Sequence, residues 1–176
     1  MPTAEEKLLT ELGLELLQGE KHVSVKRIVK RKQKTDGQRL APGDKIVAVW
    51  GQMTAYMDTG EVSELLLASG EVKITVEKTF EPVLASSKAS FFGLIPPNYK
   101  KIIGAVLKLR REGVVLLKTF TDGPFENCGI MEGDLVERIN GRNVRYMPMS
   151  QIFEFIRKNQ REKVELVVYR DVTVWG

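Results

Sequence analysis

Short stretches in which apolar and polar residues alternate recur along this chain, and a period of two is typical of β-strands with one buried face. The alternation predicts four strands in each half of the chain, of which one lies in the repeated stretches 40–51 and 130–141, and the other six are at residues 12–16, 22–28, 72–76, 102–107, 114–117 and 164–168. Turn residues separate the first two strands of each half, at 18–21 and at 110–113. Each half therefore predicts a β-hairpin followed later by a closing strand.

Helices are predicted at residues 58–69 and 149–158, with a turn and short helix at 122–129 and a loop and short helix at 26–34. The first begins with a capping box, in which Asp58 at the N-cap is followed three residues later by Glu61. Gly70 is suited to end this helix because glycine adopts the left-handed conformation that often follows one. Residues 5–10 fit either a helical turn or a short edge strand.

Two stretches of the chain, 40–51 and 130–141, repeat each other at an offset of 90 residues. Each contains an apolar lead-in, a Gly-Asp turn, an alternating strand and a second turn at glycine. We expect Asp44 and Asp134 to hydrogen-bond the backbone of their turns. A repeat of this length is a whole small domain. The chain therefore predicts two domains, at 1–80 and 99–176, joined by a partly packed linker at 81–98.

The linker has a mixed character. Proline and serine residues interrupt the strand pattern between Phe80 and Asn98, yet the run Phe91–Ile95 is apolar. A wholly flexible linker would not carry such a cluster. We expect part of this segment to pack on one domain, as the first strand of the second domain.

Composition and charge narrow the classes of function. The chain is 43% hydrophobic and 28% charged, as globular proteins are, and no apolar run approaches the ~20 residues of a membrane span. No signal peptide is visible, and a single cysteine, Cys128, excludes an internal disulfide, so we expect a cytoplasmic location. The net charge of +4 is too small to indicate nucleic acid binding. We find no metal-ligand cluster, phosphate-binding glycine loop or Ser/His/Asp set, and expect neither cofactor nor catalysis.

The order of elements and the turn motifs resemble the PDZ domain. In the second half, the run from Gly123-Pro124 through Cys128-Gly129-Ile130 and Gly133-Asp134 to Ile139-Asn140-Gly141 is similar to the central run of that family. In the first half the similarity extends from Asp36-Gly37 to Ile46, although Trp50 stands where the family usually has asparagine. The resemblance implies an α+β, mostly β fold. It implies two small domains, each a partly open antiparallel β-barrel or sandwich of five to six strands with two helices.

The resemblance also implies a function, because PDZ domains bind short peptides, usually the last residues of a partner. The ligand is added as a strand between the second strand and the second helix, where a strand edge offers unpaired backbone groups. A preceding loop of the form X-Φ-Gly-Φ holds the terminal carboxylate with backbone N–H groups. Ala105 is smaller than the residue that the family usually has in this loop. The implied residues of loops and strands are Leu12, Gly13, Leu14, Glu15, Leu16, Ile103, Gly104, Ala105, Val106 and Leu107.

Positions four and seven residues apart share one face of a helix, which sets the other wall of each groove. The resemblance places Thr59, Ser63 and Leu66 on the first groove and Met149, Phe153 and Ile156 on the second. Leu12, Leu14 and Leu66, and in the second domain Ile103, Ala105 and Ile156, would line the pockets for the ligand's last side chain. The second groove predicts an apolar ligand side chain two residues before the end, and the first a small polar one. If the register of the first helix is shifted by one residue, Asp58 and Val62 face the first groove instead. The apolar residues assigned to the grooves are alternatively ordinary core residues.

A basic run is the strongest charge feature of the chain. Its six residues are Lys26, Arg27, Lys30, Arg31, Lys32 and Lys34. The simplest interpretation is a solvated loop. The sharper hypothesis is an anionic membrane surface or phosphoinositide headgroup, at which each cation contributes about 1 kcal/mol.

The sequence therefore predicts a non-catalytic scaffold or adaptor that binds the C-termini of membrane or signalling proteins. We expect it in the cytoplasm, and peripheral at a membrane if the basic run binds lipid. One alternative is a regulatory module of a larger enzyme, such as a protease that reads substrate tails. Another is a structural pair with a degenerate groove, or a groove occupied by the linker, by the other domain or by the tail Val172–Gly176.

Overall fold

The computed structural model describes most of the chain, namely residues 1–29, 34–35, 40–68, 70–85 and 99–175, with the backbone alone at 34–35 and 175. The chain divides into two compact units. Unit 1 consists of Met1–Lys78 and Arg170–Gly176, and unit 2 of Thr79–Tyr169. The units thus differ from the expected domains at residues 79–80 and 170–176, and the described linker residues 81–85 belong to unit 2. Within the described residues, no helix has both the length and the apolar character that crossing a membrane requires.

The first part of the chain alternates short strands with two helices. In chain order these are α1 (Ala4–Leu12), β1 (Leu14–Leu17), β2 (Ser24–Ile28), β3 (Lys34–Thr35), β4 (Lys45–Val49), β5 (Gln52–Met53), α2 (Thr59–Leu67) and β6 (Glu71–Phe80). The second part follows a similar order. Its elements are α3 (Tyr99–Ile103), β7 (Ala105–Arg110), β8 (Gly113–Thr119), α4 (Pro124–Cys128), β9 (Leu135–Ile139), β10 (Arg142–Asn143), α5 (Met149–Lys158) and β11 (Leu166–Trp175).

The sheet of unit 1 is antiparallel and has β1 at its edge. Its strands lie in the order β1-β2-β4-β6, with β5 beside β4. Residues 170–175 of β11 continue this sheet next to β6, where the Thr75 hydroxyl donates to the Asp171 carboxylate at 2.6 Å. Val172 and Val174, from the same segment, are buried in the core of this unit. The end of the chain is therefore part of unit 1.

The sheet of unit 2 is also antiparallel. Its strands lie in the order β11-β9-β8-β7, in which residues 166–169 of β11 pair with β9 and β7 forms the edge. The segment after β6 completes this unit: the Leu84 N–H donates to the Glu162 carbonyl at 2.9 Å, and the Val164 N–H to the Pro82 carbonyl at 3.0 Å. Leu84 is buried in the core of unit 2. Unit 1 is thus completed by residues 170–175, the second part of β11, and unit 2 by residues 82–84, which follow β6.

The fold is α+β and mostly β, as predicted. α5 has the predicted bounds, and α2 begins with the predicted capping box of Asp58 and Glu61 but ends at Leu67, two residues early. The two Gly-Asp turns are held as expected. Asp44 accepts a hydrogen bond from the Ala41 N–H at 2.8 Å, and Asp134 accepts one from the Met131 N–H at 2.9 Å.

Two strand predictions were wrong at their starts, because a helix precedes each strand. Leu12 is the last residue of α1, and Ile102 and Ile103 end α3. Gly13 and Gly104 follow these helices with φ of 68°, a left-handed conformation that favours glycine, and the strands begin only after them. Three apolar residues at a spacing of two fit a helix end as well as a strand, so alternation alone could not place the boundary.

The start of α1 carried a signal that the sequence analysis missed. Thr3 is its N-cap, and the Glu6 side chain completes a second capping box with it. The spacing Thr-x-x-Glu before apolar residues is the usual mark of a helix start. It would have identified residues 5–10 as helical.

Candidate functional site

The predicted carboxylate loops have the same backbone form in both units. Gly13 precedes edge strand β1 and Gly104 precedes edge strand β7, each with φ of 68°. Each glycine directly follows a helix, so the residues before it are helical and not an open loop. In unit 1 the Gly13 N–H donates to the Leu9 carbonyl at 3.1 Å and so ends α1. This donor is already used within the chain.

Gly104 is held in place by a second glycine that the sequence analysis gave no role. A Cβ atom on Gly104 would lie 2.6 Å from the Gly123 Cα and 3.1 Å from the Pro124 Cδ. The Phe120 N–H also donates to the Gly104 carbonyl at 2.8 Å. The turn at 120–123 therefore supports the loop that enters β7. Gly123-Pro124 stood in the motif that carried the family resemblance, and a close approach of two backbones is the physical reason for its glycine.

The six residues predicted to line the terminal pockets are all buried. Their exposed fractions are 5% for Leu12, 0% for Leu14, Leu66, Ile103 and Ala105, and 2% for Ile156. They belong to the two hydrophobic cores, one in each unit. The alternative interpretation of these residues as core therefore describes their packing, and a role in lining a ligand pocket stays a prediction.

In unit 2 an aromatic pair connects α3 to α5, the helix predicted to form one wall of the groove. The rings of Tyr99, the first residue of α3, and Phe153, on α5, are stacked with centroids 4.0 Å apart and planes inclined by 12°. The Tyr99 hydroxyl donates to the Leu107 carbonyl and accepts from the Leu107 N–H, both at 3.3 Å. Of the other predicted groove residues, Val106 and Met149 are half-buried and Leu107 is 5% exposed. Tyr99 thus joins the edge strand to the helix and was not among the predicted site residues.

In unit 1 the corresponding region is closed by α1, which packs against α2. The Thr59 hydroxyl donates to the Glu5 carboxylate at 3.1 Å, and the Thr59 N–H donates to the Gln18 side-chain oxygen at 3.0 Å. Ser63 is fully buried, and its hydroxyl donates to the Thr59 carbonyl at 2.6 Å. Leu8, from the middle of α1, is fully buried in the core. The two polar residues predicted to contact a ligand are therefore bonded within the chain.

Strand β1 carries a charged cluster that includes part of the basic run. Glu15, a predicted peptide-binding residue, pairs with Arg27 at 2.9 Å and Lys26 at 3.4 Å, while Leu16 beside it is half-buried. Both cations on β2 are more than half exposed. Lys30, Arg31 and Lys32 lie outside the described residues, as does the side chain of Lys34. Binding of anionic lipid by this run stays a prediction.

The chain has one histidine, His22, and one cysteine, Cys128. Burial, and next to it the charge of Lys21, lowers the pKa of His22 in unit 1. The Cys128 thiol of unit 2 donates to the Phe125 carbonyl within the short helix α4, at 3.1 Å. No group of three His, Cys, Asp or Glu side chains in this part of the chain could hold a metal ion.

One family model matches part of the second half of the chain. Residues 121–170 match the family model described as the PDZ domain. Among solved structures, the PDZ domain of choanoflagellate SHANK1 bound to a GIRK3 peptide matches with a TM-score of 0.42 and 15% identity, over 55% of this chain and 93% of that one. No significant match was found among curated protein sequences.

Two further PDZ structures are similar to the same extent. The PDZ domain of mouse Rhophilin-2 has a TM-score of 0.41 and 16% identity, covering 53% of this chain and 71% of that chain. The PDZ domain of choanoflagellate GIPC has a TM-score of 0.40 and 14% identity, covering 52% and 87%.

Proposed function

We propose, from the premise that residues 121–170 form a PDZ domain, that the protein is a non-catalytic adaptor whose unit 2 binds C-terminal peptides of partner proteins by β-strand addition. The observation that carries this proposal is the setting of β7. It is an edge strand, it follows the left-handed Gly104, and Tyr99 connects its Leu107 to Phe153 of the amphipathic helix α5. A strand edge that no further strand covers, beside an apolar helix face, is the arrangement that peptide addition requires. The partners that we expect are the C-termini of membrane or signalling proteins.

The side chains of this groove support an apolar ligand. Met149 and Phe153 are half-buried on α5, and Leu107 on β7 is 5% exposed. A ligand residue that pairs with Leu107 stands two residues from one that pairs with Ala105, because side chains repeat with a period of two along a strand. If the last ligand residue pairs with Ala105, the residue two before it faces Phe153. An apolar side chain there buries surface that a polar one would leave in contact with water.

The experiment is a fluorescence anisotropy screen of the full chain against free C-terminal peptides, with each binding peptide repeated as its C-terminal amide. We expect selection of peptides with an apolar last residue and loss of binding on amidation. The variant Phe153→Glu should abolish binding, because it buries a charge against the ligand. Gln151→Glu adds the same charge on an exposed position of the same helix and should bind as the unmodified chain does. Equal binding of acids and amides, or no selected peptide, would contradict the proposal.

A second candidate function applies to unit 1, as a structural partner with a closed groove. The specific observation is α1, whose Leu8 is in the core and whose Glu5 bonds Thr59. A peptide strand beside β1 would have to displace a helix of nine residues that begins with a capping box. We therefore propose peptide binding for unit 2 and a supporting role for unit 1.

A further inference from the structure

Tyr99 occupies the place in unit 2 where a ligand strand would bind. In β-strand addition the ligand's backbone C=O accepts from, and its N–H donates to, the outward-facing groups of one residue on the edge strand. Leu107 is the residue of β7 whose N–H and C=O are both taken by a single side-chain group, the Tyr99 hydroxyl. A hydroxyl can replace a peptide unit here because it is at once a donor and an acceptor.

The ring of Tyr99 occupies the adjoining side-chain position. It lies almost parallel to Phe153, with the centroids 4.0 Å apart, so the apolar face of α5 is covered. Such aromatic pairs contribute beyond the area that they bury, and the pairing favours a flat ring over an aliphatic chain. The hydroxyl of Tyr99 thus bonds the backbone groups at the strand edge, and its ring covers the apolar face of α5.

We propose that Tyr99 is an internal competitor that a peptide ligand must displace, and that the peptide best able to displace it carries an aromatic side chain two residues before its C-terminus. The ligand's backbone then takes over the hydrogen bonds of Leu107, and its ring takes over the stacking on Phe153. This inference rests on the proposed function. It adds a regulation of the site, in which Tyr99 of α3 covers the groove until a ligand displaces it. It also adds a class of ligand.

The position of Tyr99 suits it for release. It is the first residue of a helix of only five residues, and it is half-buried. Its two hydrogen bonds, at 3.3 Å, are longer than the usual distances, which end at about 3.0 Å for O–H···O and about 3.2 Å for N–H···O. Displacing it exposes one ring and leaves Ile102 and Ile103, which are fully buried, in the core. The rest of the unit can therefore stay folded when the groove opens.

The experiment measures peptide affinity in the full chain and three variants: Tyr99→Phe, Tyr99→Ala and the control Tyr146→Phe. The probes are two peptides that end in a free carboxylate and differ only two residues before the end, with phenylalanine in one and serine in the other. Tyr99→Phe removes the hydroxyl and keeps the ring, and we expect about fivefold tighter binding of both peptides. Tyr99→Ala also removes the stacking, and we expect at least tenfold tighter binding. Tyr146 is 71% exposed in the same unit, and its substitution should leave affinity unchanged.

Each outcome decides a separate point. Unchanged affinity in both Tyr99 variants would contradict the role of Tyr99 as a competitor but not peptide binding. Absence of binding in every variant would contradict the proposed function itself. Equal affinity for the two peptides would overturn the aromatic preference. Near-ultraviolet circular dichroism checks the fold of each variant, and Tyr99→Phe alone decides the question if Tyr99→Ala is unfolded.

Discussion

The two units place different chemistry in front of the same kind of strand edge. In unit 1 the helix before the left-handed glycine has nine residues, and its Leu8 is fully buried. In unit 2 the corresponding helix has five residues, and Tyr99 stands five residues before Gly104, as Leu8 stands five before Gly13. Leu8 is therefore part of a core, whereas Tyr99 is a half-buried side chain beside the predicted groove. The same repeat thus supports a closed and an openable form.

The helix on the other side of each groove explains this difference. Ser63 and Phe153 correspond at the repeat offset of 90 residues. The small Ser63 side chain bonds its own helix, and α1 packs against α2. The large Phe153 ring instead requires a flat partner, and Tyr99 supplies it. Both preceding helices contribute to a core, and we infer that this pair of positions determines only whether the residue five before the glycine is buried, as Leu8 is, or half-buried, as Tyr99 is.

The largest expected effect comes from removing the end of the chain, which serves unit 1 although it follows unit 2 in sequence. A stop codon after Tyr169 removes Val172 and Val174, which are 1% and 0% exposed, and the strand beside β6. Burying two valines contributes roughly 3–6 kcal/mol, so unit 1 should unfold while unit 2 keeps its own sheet. Urea unfolding and hydrogen exchange measure this, with Glu132→Gln, at an exposed position of unit 2, as the control. An unchanged urea midpoint would show that unit 1 does not depend on this segment.

A second test compares glycines that share a left-handed conformation but differ in space. Gly104→Ala places a Cβ atom 2.6 Å from a backbone atom of Gly123, and we expect a loss of roughly 3 kcal/mol in the free energy of unfolding. Gly133→Ala, at φ of 90°, meets nothing within 4 Å and should cost only about 1 kcal/mol. Chemical denaturation of both variants gives the difference. Equal losses would mean that the approach to Gly123 is not what holds the loop.

A third test compares the two residues that face the grooves. Leu8→Ala opens a cavity in a core, and we expect a cost of about 2–5 kcal/mol. Tyr99→Ala removes a half-buried ring, and about 1–2 kcal/mol is expected because water can reach the position. Urea unfolding of the two variants ranks them. A larger loss for Tyr99→Ala would reverse the assignment of the closed and the openable unit.

The smallest effect concerns the pH dependence of unit 1. Because the pKa of His22 is lowered in the folded state, the unfolded chain binds its proton first. Stability is therefore fully present above the usual histidine pKa of about 6.5 and is lost as the pH falls below it. His22→Gln should flatten this part of the curve of unfolding free energy against pH. A slope that stays the same would assign the dependence to other groups.

Local patterns in the sequence were sufficient for some of these features and not for others. The capping box of Asp58 and the amphipathic period of α5 are local, and each predicted its helix. The joining of residues 170–175 to unit 1 depends on partners such as Thr75, 96 residues away from Asp171, which alternation does not identify. Tyr99 lies in a helix of five residues, too short to show a period, so its contact with Leu107 could not be read from the pattern.

The most direct test is a nuclear magnetic resonance titration of the full, nitrogen-15-labelled chain with a free C-terminal peptide carrying phenylalanine two residues before its end. We predict that the amide signals of Ala105–Leu107 and Met149–Ile156 shift with added peptide, while those of Leu14–Leu16 and Thr59–Leu66 do not. Shifts concentrated in the unit 1 sets, or spread equally over both, would contradict the distinction between a closed and an openable groove.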